Sequence, residues 1–408
     1  MPDVDAILEA VRSRGADAVV EWTERLDGVR LNPEDLVYDP FAEPVSPPPA
    51  EDQAAIDFAI DRVWRFHHLS RPKTAVVVEE PGLRLEERWV PLRRVGVYAP
   101  NGLFPLLSSL IMCAVPALAA GVDTVVAAIS PRHQSRHDPY WNYTLRRLGI
   151  RTVLAAGGAQ AIAALAYGLP GLLEPVELVA GPGNAWVAAA KQALFSAGVI
   201  GIDLWAGPSE VLVIADRNAP PEWVALDLLA QAEHAPDATA ICVSWQPDAL
   251  QAIQEAVQQA IADAPEGAEA RGQIRWELVQ DPAAAVTLAN RIAPEHLALV
   301  GPEAEALAPA IRTAGALFLG PLAGQALGDY VAGPSHVLPT QGTGRFASGL
   351  STRTFMRRMS VIQTDSALNP DYLDHGARLA TREGLYFHAR SLMRRRGERP
   401  DNKEASTS

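Results

Sequence analysis

Cysteine is almost absent. The 408 residues hold two, Cys113 and Cys242, each inside an apolar run ("LIMCAVPAL" and "AICVSW"). Both read as small buried hydrophobes, which argues for a reducing compartment and against a disulfide framework or a thiolate metal site. No run of about 18 apolar residues occurs, so no membrane-spanning helix is expected. The opening "MPDVDAILEAVRSRGADAVV" reads as a charged amphipathic helix and lacks the basic start and apolar core of a secretory signal. Positive charge is also in deficit, with 35 Lys and Arg against 48 Asp and Glu and a net charge of −13. A field of that sign does not attract nucleic acid or an anionic membrane, and it suits a small cationic or zwitterionic ligand. The expected setting is the cytoplasm, with no nucleic-acid or membrane partner.

What is present is ordinary globular material, 48% apolar and 20% charged, long enough for two or three domains. The N-terminal helical stretch runs to a Pro-rich joint, "FAEPVSPPPA", that cannot continue a helix. Next, "EDQAAIDFAIDRVWRFHHLS" places Ile56, Ala59, Ile60, Val63 and His67 on one helical face, where His67 is expected to pack. The segment "TAVVVEEPGLRLEERWVPLRRVGVYAP" reads as short strands joined by a tight turn at Pro81 and Gly82. From residue 105, β-branched runs alternate with Ala-rich helices, and a second such series follows residue 210 with "VLVIAD", "PPEWVALDLLAQAEH", "ATAICVSW" and "DALQAIQEAVQQAIADA". Alternation of this kind implies βαβ units and mostly parallel sheets in two α/β domains. The stretch "NPDYLDHGARLATREGLYFHARSLMRRRG" reads as helical, and "ERPDNKEASTS" as a disordered tail.

Five polar clusters interrupt this apolar chain. In "LLAQAEHAPDA", Gln231 and His234 are three apart and share a helix face. Glu295 and His296 are adjacent in "IAPEHLALV". Asp329 and His336 flank a Gly-Pro turn in "GDYVAGPSHVLPTQGTGRFASGLS". Ser209 precedes a strand in "GPSEVLVIAD", and Glu383 and His388 lie five apart in "REGLYFHARS". His, Asp and Gln without thiolates suit a borderline or hard divalent metal, and their irregular spacing favours a site assembled from several segments. An adjacent Glu-His pair offers two bases for acid-base work. Each cluster also has a bland reading: Gln231 and His234 as a helix end or dipole partner, "PEH" as an exposed turn, Asp329 and Ser209 as caps.

Two glycine-rich loops, "AAGGAQAIAA" and "AGPGNAWVAAA", each follow a strand and open a helix, a context suited to an anion at a helix N-terminus. Neither matches G-x-G-x-x-G, and no acidic residue closes a second strand about 20 positions on. A dinucleotide binding here would do so without the standard fingerprint.

In chain order, "VGVYAPNG", "GGAQAIAALAYG", "VAGPGNAWVAAAK", "GIDLWAGPSEVLVIAD", "LLAQAEHAPDA", "APEHLAL", "GDYVAGPSHVLPT" and "EGLYFHARS" resemble the signature blocks of the histidinol dehydrogenase family. The resemblance implies an α/β fold with two incomplete Rossmann-like parallel-sheet domains and small helical N- and C-terminal segments. The partition it implies is residues 1–24 as a helical segment, 25–104 with 211–350 as a discontinuous α/β domain, 105–210 as a second, and 351–408 as a small helical domain swapped in a homodimer. It further implies oxidation of L-histidinol through the aldehyde to L-histidine, using NAD+ and one Zn2+ per subunit. By position, Gln231, His234, Asp329 and His388 would hold the metal and also lie against the substrate. His296 would be the general base, and Glu295 would activate water. Ser209, His296, His336 and Glu383 would contact substrate, and Tyr98, Gln160 and Asn184 would contact NAD+. Three departures from the family pattern bear on substrate fit: Asn101 stands for a glycine and is expected to tolerate positive φ, while Tyr386 and Phe387 make the neighbourhood of His388 bulkier.

Overall fold

In the computed structural model, which describes residues 3–101, 105–204 and 207–397, the alternation of strands and helices becomes two sheets wound the same way. Strands are numbered along the chain. The first sheet has the order β1 (Val37–Tyr38), β6 (Thr152–Leu154), β5 (Thr124–Ile129), β4 (Arg94–Ala99), β7 (Leu178–Ala180) and β8 (Gly201–Ile202). All its neighbours are parallel except the β1–β6 pair. The second has the order β11 (Gln273–Leu278), β10 (Thr239–Ser244), β9 (Glu210–Ala215), β12 (His296–Val300) and β13 (Ala316–Leu319), entirely parallel. In each sheet the chain steps outward over three strands and then returns to the other side of the first. The direction therefore reverses beside β4 in one sheet and beside β9 in the other.

The second sheet shows why its strands read as unbroken apolar runs. Val211, Val213 and Ala215 pack on one face with Val224, Ala225 and Leu228 of the helix Pro221–Ala232. Leu212 and Ile214 pack on the other with Ala285 and Ala289 of the helix Pro282–Ile292. A strand buried on both faces has no polar side to alternate with. The helix Pro221–Ala232 opens on a proline at its first position, where no N–H is missed.

The two crevices at the carboxyl ends of these sheets, where doubly wound folds bind ligands, differ. In the first sheet it is bordered by the ends of β4 and β7. In the second it is occupied by Asp216, fully buried at the end of β9. The Asp216 carboxylate accepts from the backbone N–H of Asn218 at 2.7 Å, Glu303 at 2.6 Å and Ala304 at 3.1 Å. A side chain at Gly301 would meet its Oδ1 at 2.2 Å.

The chain divides into two units, the first spanning Met1–Arg71 and Pro91–Phe355, the second Pro72–Val90 and Met356–Ser408. The second holds a three-stranded sheet of order β14 (Met356–Thr364), β3 (Leu83–Pro91) and β2 (Ala75–Glu80). The turn at Pro81 and Gly82 falls where expected, with Gly82 at φ +76° and no room for a Cβ, which would lie 1.9 Å from the Leu368 nitrogen. Two helices, Asp371–Arg382 and Tyr386–Gly397, pack on each other in this unit, where Arg396 pairs with Asp374.

Three expectations are corrected. Residues 37–38 and 94–99 join the sheet built from 105–210 rather than the one built from 211–350. The C-terminal segment is not purely helical, because β14 pairs into the sheet with β3; its exposed Arg-rich pattern, "MRRMSVIQT", lacks the alternation of a half-buried strand. The N-terminal stretch forms two helices, Val4–Arg14 and Ala16–Asp27, broken at Gly15 with φ +59°. The tail expected to be disordered, residues 398–408, lies outside the described residues. Among those described, no helix is long and apolar enough to cross a membrane.

Candidate active site

The adjacent pair Glu295 and His296 is not the exposed turn that its short polar sequence also allowed. The helix Pro282–Ile292 ends on Ala293, a buried alanine held left-handed at φ +51°. Pro294 follows, and His296 is the first residue of β12, paired with Val211 of β9. Both side chains are buried at the amino edge of the second sheet.

Glu210, at the start of β9, ties the pair down. Its N–H donates to Glu295 Oε2 at 2.9 Å, and its carbonyl accepts from His296 Nδ1 at 3.3 Å. Its carboxylate accepts from the Gln341 N–H at 2.9 Å. Gln341 is itself left-handed, at φ +52°. Two strained non-glycine residues thus flank the cluster, a common accompaniment of functional sites.

His296 Nε2 lies 3.6 Å from Asp329 Oδ1, and His336 Nδ1 lies 4.0 Å from the same oxygen. Asp329 sits near the end of the helix Gln325–Tyr330, whose residue spacing carries it inward. His336 Nδ1–H donates to the Asp329 carbonyl at 3.0 Å. His234, just past the helix Pro221–Ala232, donates Nδ1–H to the Ala230 carbonyl at 2.8 Å. Each of these three histidines therefore ties its Nδ1–H to a main-chain carbonyl, which fixes the tautomer and leaves Nε2 as a lone pair for a proton or a metal. The capping reading of His234 and the ligand reading are compatible, because they use opposite ring nitrogens.

The charges follow from this packing. Burial pushes the Glu295 carboxyl up to about 7, against the pull of His296. Burial opposes charging of His296, but Asp329, Glu295 and the Glu210 carbonyl together hold its pKa above the ordinary histidine value. Burial would raise Asp329, yet the adjacent His296, with His336 and His234 adding, holds it below the usual carboxylate range. His336 is lowered, chiefly by burial. The geometry supplies a carboxyl poised near neutrality beside an imidazole with a fixed tautomer, which is what paired proton transfers require.

Gln231 is fully buried, with its Oε1 accepting from Gln325 Nε2 at 2.7 Å and its own Nε2 unpaired. Ser209 is half-buried just before β9. Glu383 and His388 belong to the second unit and are exposed there, as are Tyr386 and Phe387.

The proposed cofactor residues gather at the carboxyl ends of β4 and β7. Tyr98 Oη accepts from the Gly158 N–H at 3.1 Å. Gln160, on the helix Gly158–Tyr167, is fully buried with neither amide atom paired. Asn184 caps the helix Ala185–Ser196 by accepting from the Trp186 and Val187 N–H groups, both at 3.1 Å. Gly181, at φ +120°, has no room for a side chain, since a Cβ would lie 2.1 Å from the Tyr98 carbonyl oxygen. Its N–H donates to Asp203 at 2.7 Å, and its carbonyl accepts from Lys191 at 3.0 Å, while Lys191 and Asp203 form a buried ion pair. A cavity of about 230 Å³ opens here, lined by Gly181, Gly183, Lys191, Leu204, Gln341 and Thr343. Asn101 departs from expectation. It does not take positive φ, and its amide instead donates to the carbonyls of Ser130 at 3.0 Å and Arg132 at 2.9 Å. A glycine there could not make this staple.

The model of the family described as histidinol dehydrogenase matches residues 1–396. The chain belongs to the histidinol dehydrogenase family. It is 41% identical to the histidinol dehydrogenase of Parasynechococcus marenigrum, over 96% of this chain and 90% of that protein, and 41% identical to that of Ruegeria pomeroyi, over 97% and 92%. The crystal structure of histidinol dehydrogenase from Elizabethkingia anophelis superposes with a TM-score of 0.89 at 29% identity, covering 96% of this chain and 91% of that one. An acetylating aldehyde dehydrogenase from Geobacillus thermoglucosidasius shares the fold alone, with a TM-score of 0.52 at 12% identity over 88% and 90%. Membership makes this chain an oxidoreductase with a histidinol dehydrogenase fold. Reading the sequence by clusters passed over Glu210, Asp227, Lys191, Asp203 and Gln325. Glu210 stands inside a quoted segment, and its one signal is a carboxylate at the threshold of an otherwise apolar strand.

Proposed function

We propose that this chain catalyses the NAD+-dependent oxidation of L-histidinol through L-histidinal to L-histidine, the last steps of histidine biosynthesis, in the cytoplasm. The observation that carries the reading is the buried Glu295–His296 pair against Asp329. In the first oxidation His296 Nε2 takes the hydroxyl proton while hydride leaves the carbinol carbon for NAD+. In the second, Glu295 takes a proton from water as its oxygen adds to the aldehyde carbon, and the aldehyde oxygen takes the proton that His296 gained in the first. The resulting gem-diol then gives a proton to His296 and a second hydride to NAD+, leaving the carboxylic acid. Each turnover reduces two NAD+, consumes one water and releases the matching protons. Ser209, His336 and the exposed Glu383 are assigned to the substrate. Tyr98, Gln160 and Asn184 are assigned to the cofactor, and Gln160 brings to that assignment a buried amide with both polar atoms unpaired.

The donor set also fits one zinc ion per subunit. Gln231 offers a buried amide, His234 an Nε2 lone pair and Asp329 a carboxylate whose neighbours hold it ionised. Among the described residues no group of three or more His, Cys, Asp or Glu stands ready for a metal, and this set supplies two of those residue types plus an amide. The partner's His388 completes it in a domain-swapped homodimer, as the exposure of Glu383 and His388 and of Leu322 and Phe346, at 79% and 80%, allows. Zinc in that position would orient the substrate's nitrogens and polarise its oxygen. The test is purified protein with zinc, NAD+ and L-histidinol. Two NADH and one histidine per histidinol are expected, and no NADH would overturn the reading.

A further inference from the structure

Gln325 opens the short helix that carries Asp329, and it is buried against Gln231. Its Nε2 donates to Gln231 Oε1 at 2.7 Å, while the two remaining amide atoms, Gln231 Nε2 and Gln325 Oε1, are both buried without a partner. A buried donor or acceptor left unpaired is costly. A half-turn of both amide groups exchanges donor for acceptor at each. Gln231 Nε2 then donates to Gln325 Oε1, Gln325 Nε2 takes the place where its oxygen stood, and Gln231 Oε1, the one amide atom that can bind a cation, is released.

The backbone of Gln325 is fixed for this exchange. Asp227, one turn before Gln231 on the same helix, lies against the backbone at Gly324 and Gln325 and is influenced by the Gln325 N–H. Gly324 has no Cβ where Asp227 Oδ1 would be met at 2.8 Å. The helix that supplies Gln231 thus also sets the position of the residue opposite its amide.

We infer that Gln325 is a positioning residue that accepts the Gln231 Nε2–H and so turns the Gln231 oxygen onto the cation. The inference rests on the proposed role of Gln231 as a ligand. It predicts opposite effects for two substitutions at one place. Gln325→Leu removes the acceptor and should weaken zinc binding about 10- to 100-fold, the usual range for an outer partner of a ligand. Gln325→Glu offers acceptors only and should bind at least as tightly as the parent.

The measurement is zinc affinity of the full-length protein by competition with a chromogenic chelator, with circular dichroism to establish folding. A carboxylate could also tighten zinc binding through charge alone, so the pair Gln231→Leu and Gln231→Leu/Gln325→Glu is included. If Gln325 acts through Gln231, the glutamate confers no gain once Gln231 is gone. An equal gain in both backgrounds, or a Gln325→Leu protein that folds and binds like the parent, overturns the inference alone. A parent that binds no zinc, or binds it unchanged after Gln231→Leu, overturns the ligand reading and the inference with it.

Discussion

Glu295 accepts the backbone N–H of Glu210 at 2.9 Å, across the amino ends of two adjacent parallel strands. This bond fixes Glu295 without engaging all of its carboxylate, and it leaves the acid next to His296. The two residues can therefore be separated by which half-reaction fails. His296→Asn should lower kcat for histidinol by about 10²- to 10⁴-fold, the usual worth of a general base, with zinc content and melting temperature unchanged. Glu295→Gln should impair oxidation of histidinal far more than oxidation of histidinol. Initial NADH rates with each substrate check this, and equal losses in both steps for Glu295→Gln would count against its assigned role.

Much of this was legible in the sequence. The strand-helix alternation pointed to two largely parallel sheets because strands buried on both faces must be apolar throughout, and the glycine loops marked the ends of β6 and β7. The polar clusters stood out because polar groups inside apolar runs need partners. What stayed hidden was pairing through space. Nothing near residue 325 signals that its amide meets Gln231, 94 positions away, and nothing in "YAPNG" shows that Asn101 reaches Ser130 and Arg132. The strand β14 was missed because its exposed, charged residues carry no period.

His67 makes stability depend on pH in a predictable direction. Its ring is fully buried, lies edge-on to Phe66 at 5.2 Å, and pairs neither nitrogen. Burial lowers its pKa from 6.5 to about 4. A folded-state pKa below the unfolded one means that the neutral ring favours the fold above pH 6.5, and that this contribution is lost as pH falls from 6.5 toward 4. Between pH 7 and 5 the parent should lose about 2 kcal/mol more than His67→Phe, at 1.36 kcal/mol per pKa unit. Urea unfolding at the two pH values reads the difference, and parallel losses in both proteins would refute it.

The Lys191–Asp203 pair holds both polar groups of Gly181. With the two side chains only 4% and 0% exposed, Lys191→Met strands a buried carboxylate and should cost about 3–5 kcal/mol. Lys191→Met/Asp203→Asn removes that charge while keeping an acceptor for the Gly181 N–H, and should recover most of the loss. Chemical denaturation of the two variants tests this; a double variant no more stable than the single one would show that the charge is not the cause.

Asp216 gives the second sheet a permanent tenant. A negatively charged ligand approaching that edge meets a like charge already bonded to three main-chain N–H groups, with Gly301 closing the remaining space. Of the two similarly wound halves, the first opens a cavity beside its carboxyl edge, while the second presents Glu295 and His296 at its opposite edge. An effort to graft a second nucleotide pocket onto this scaffold would have to evict its own aspartate first.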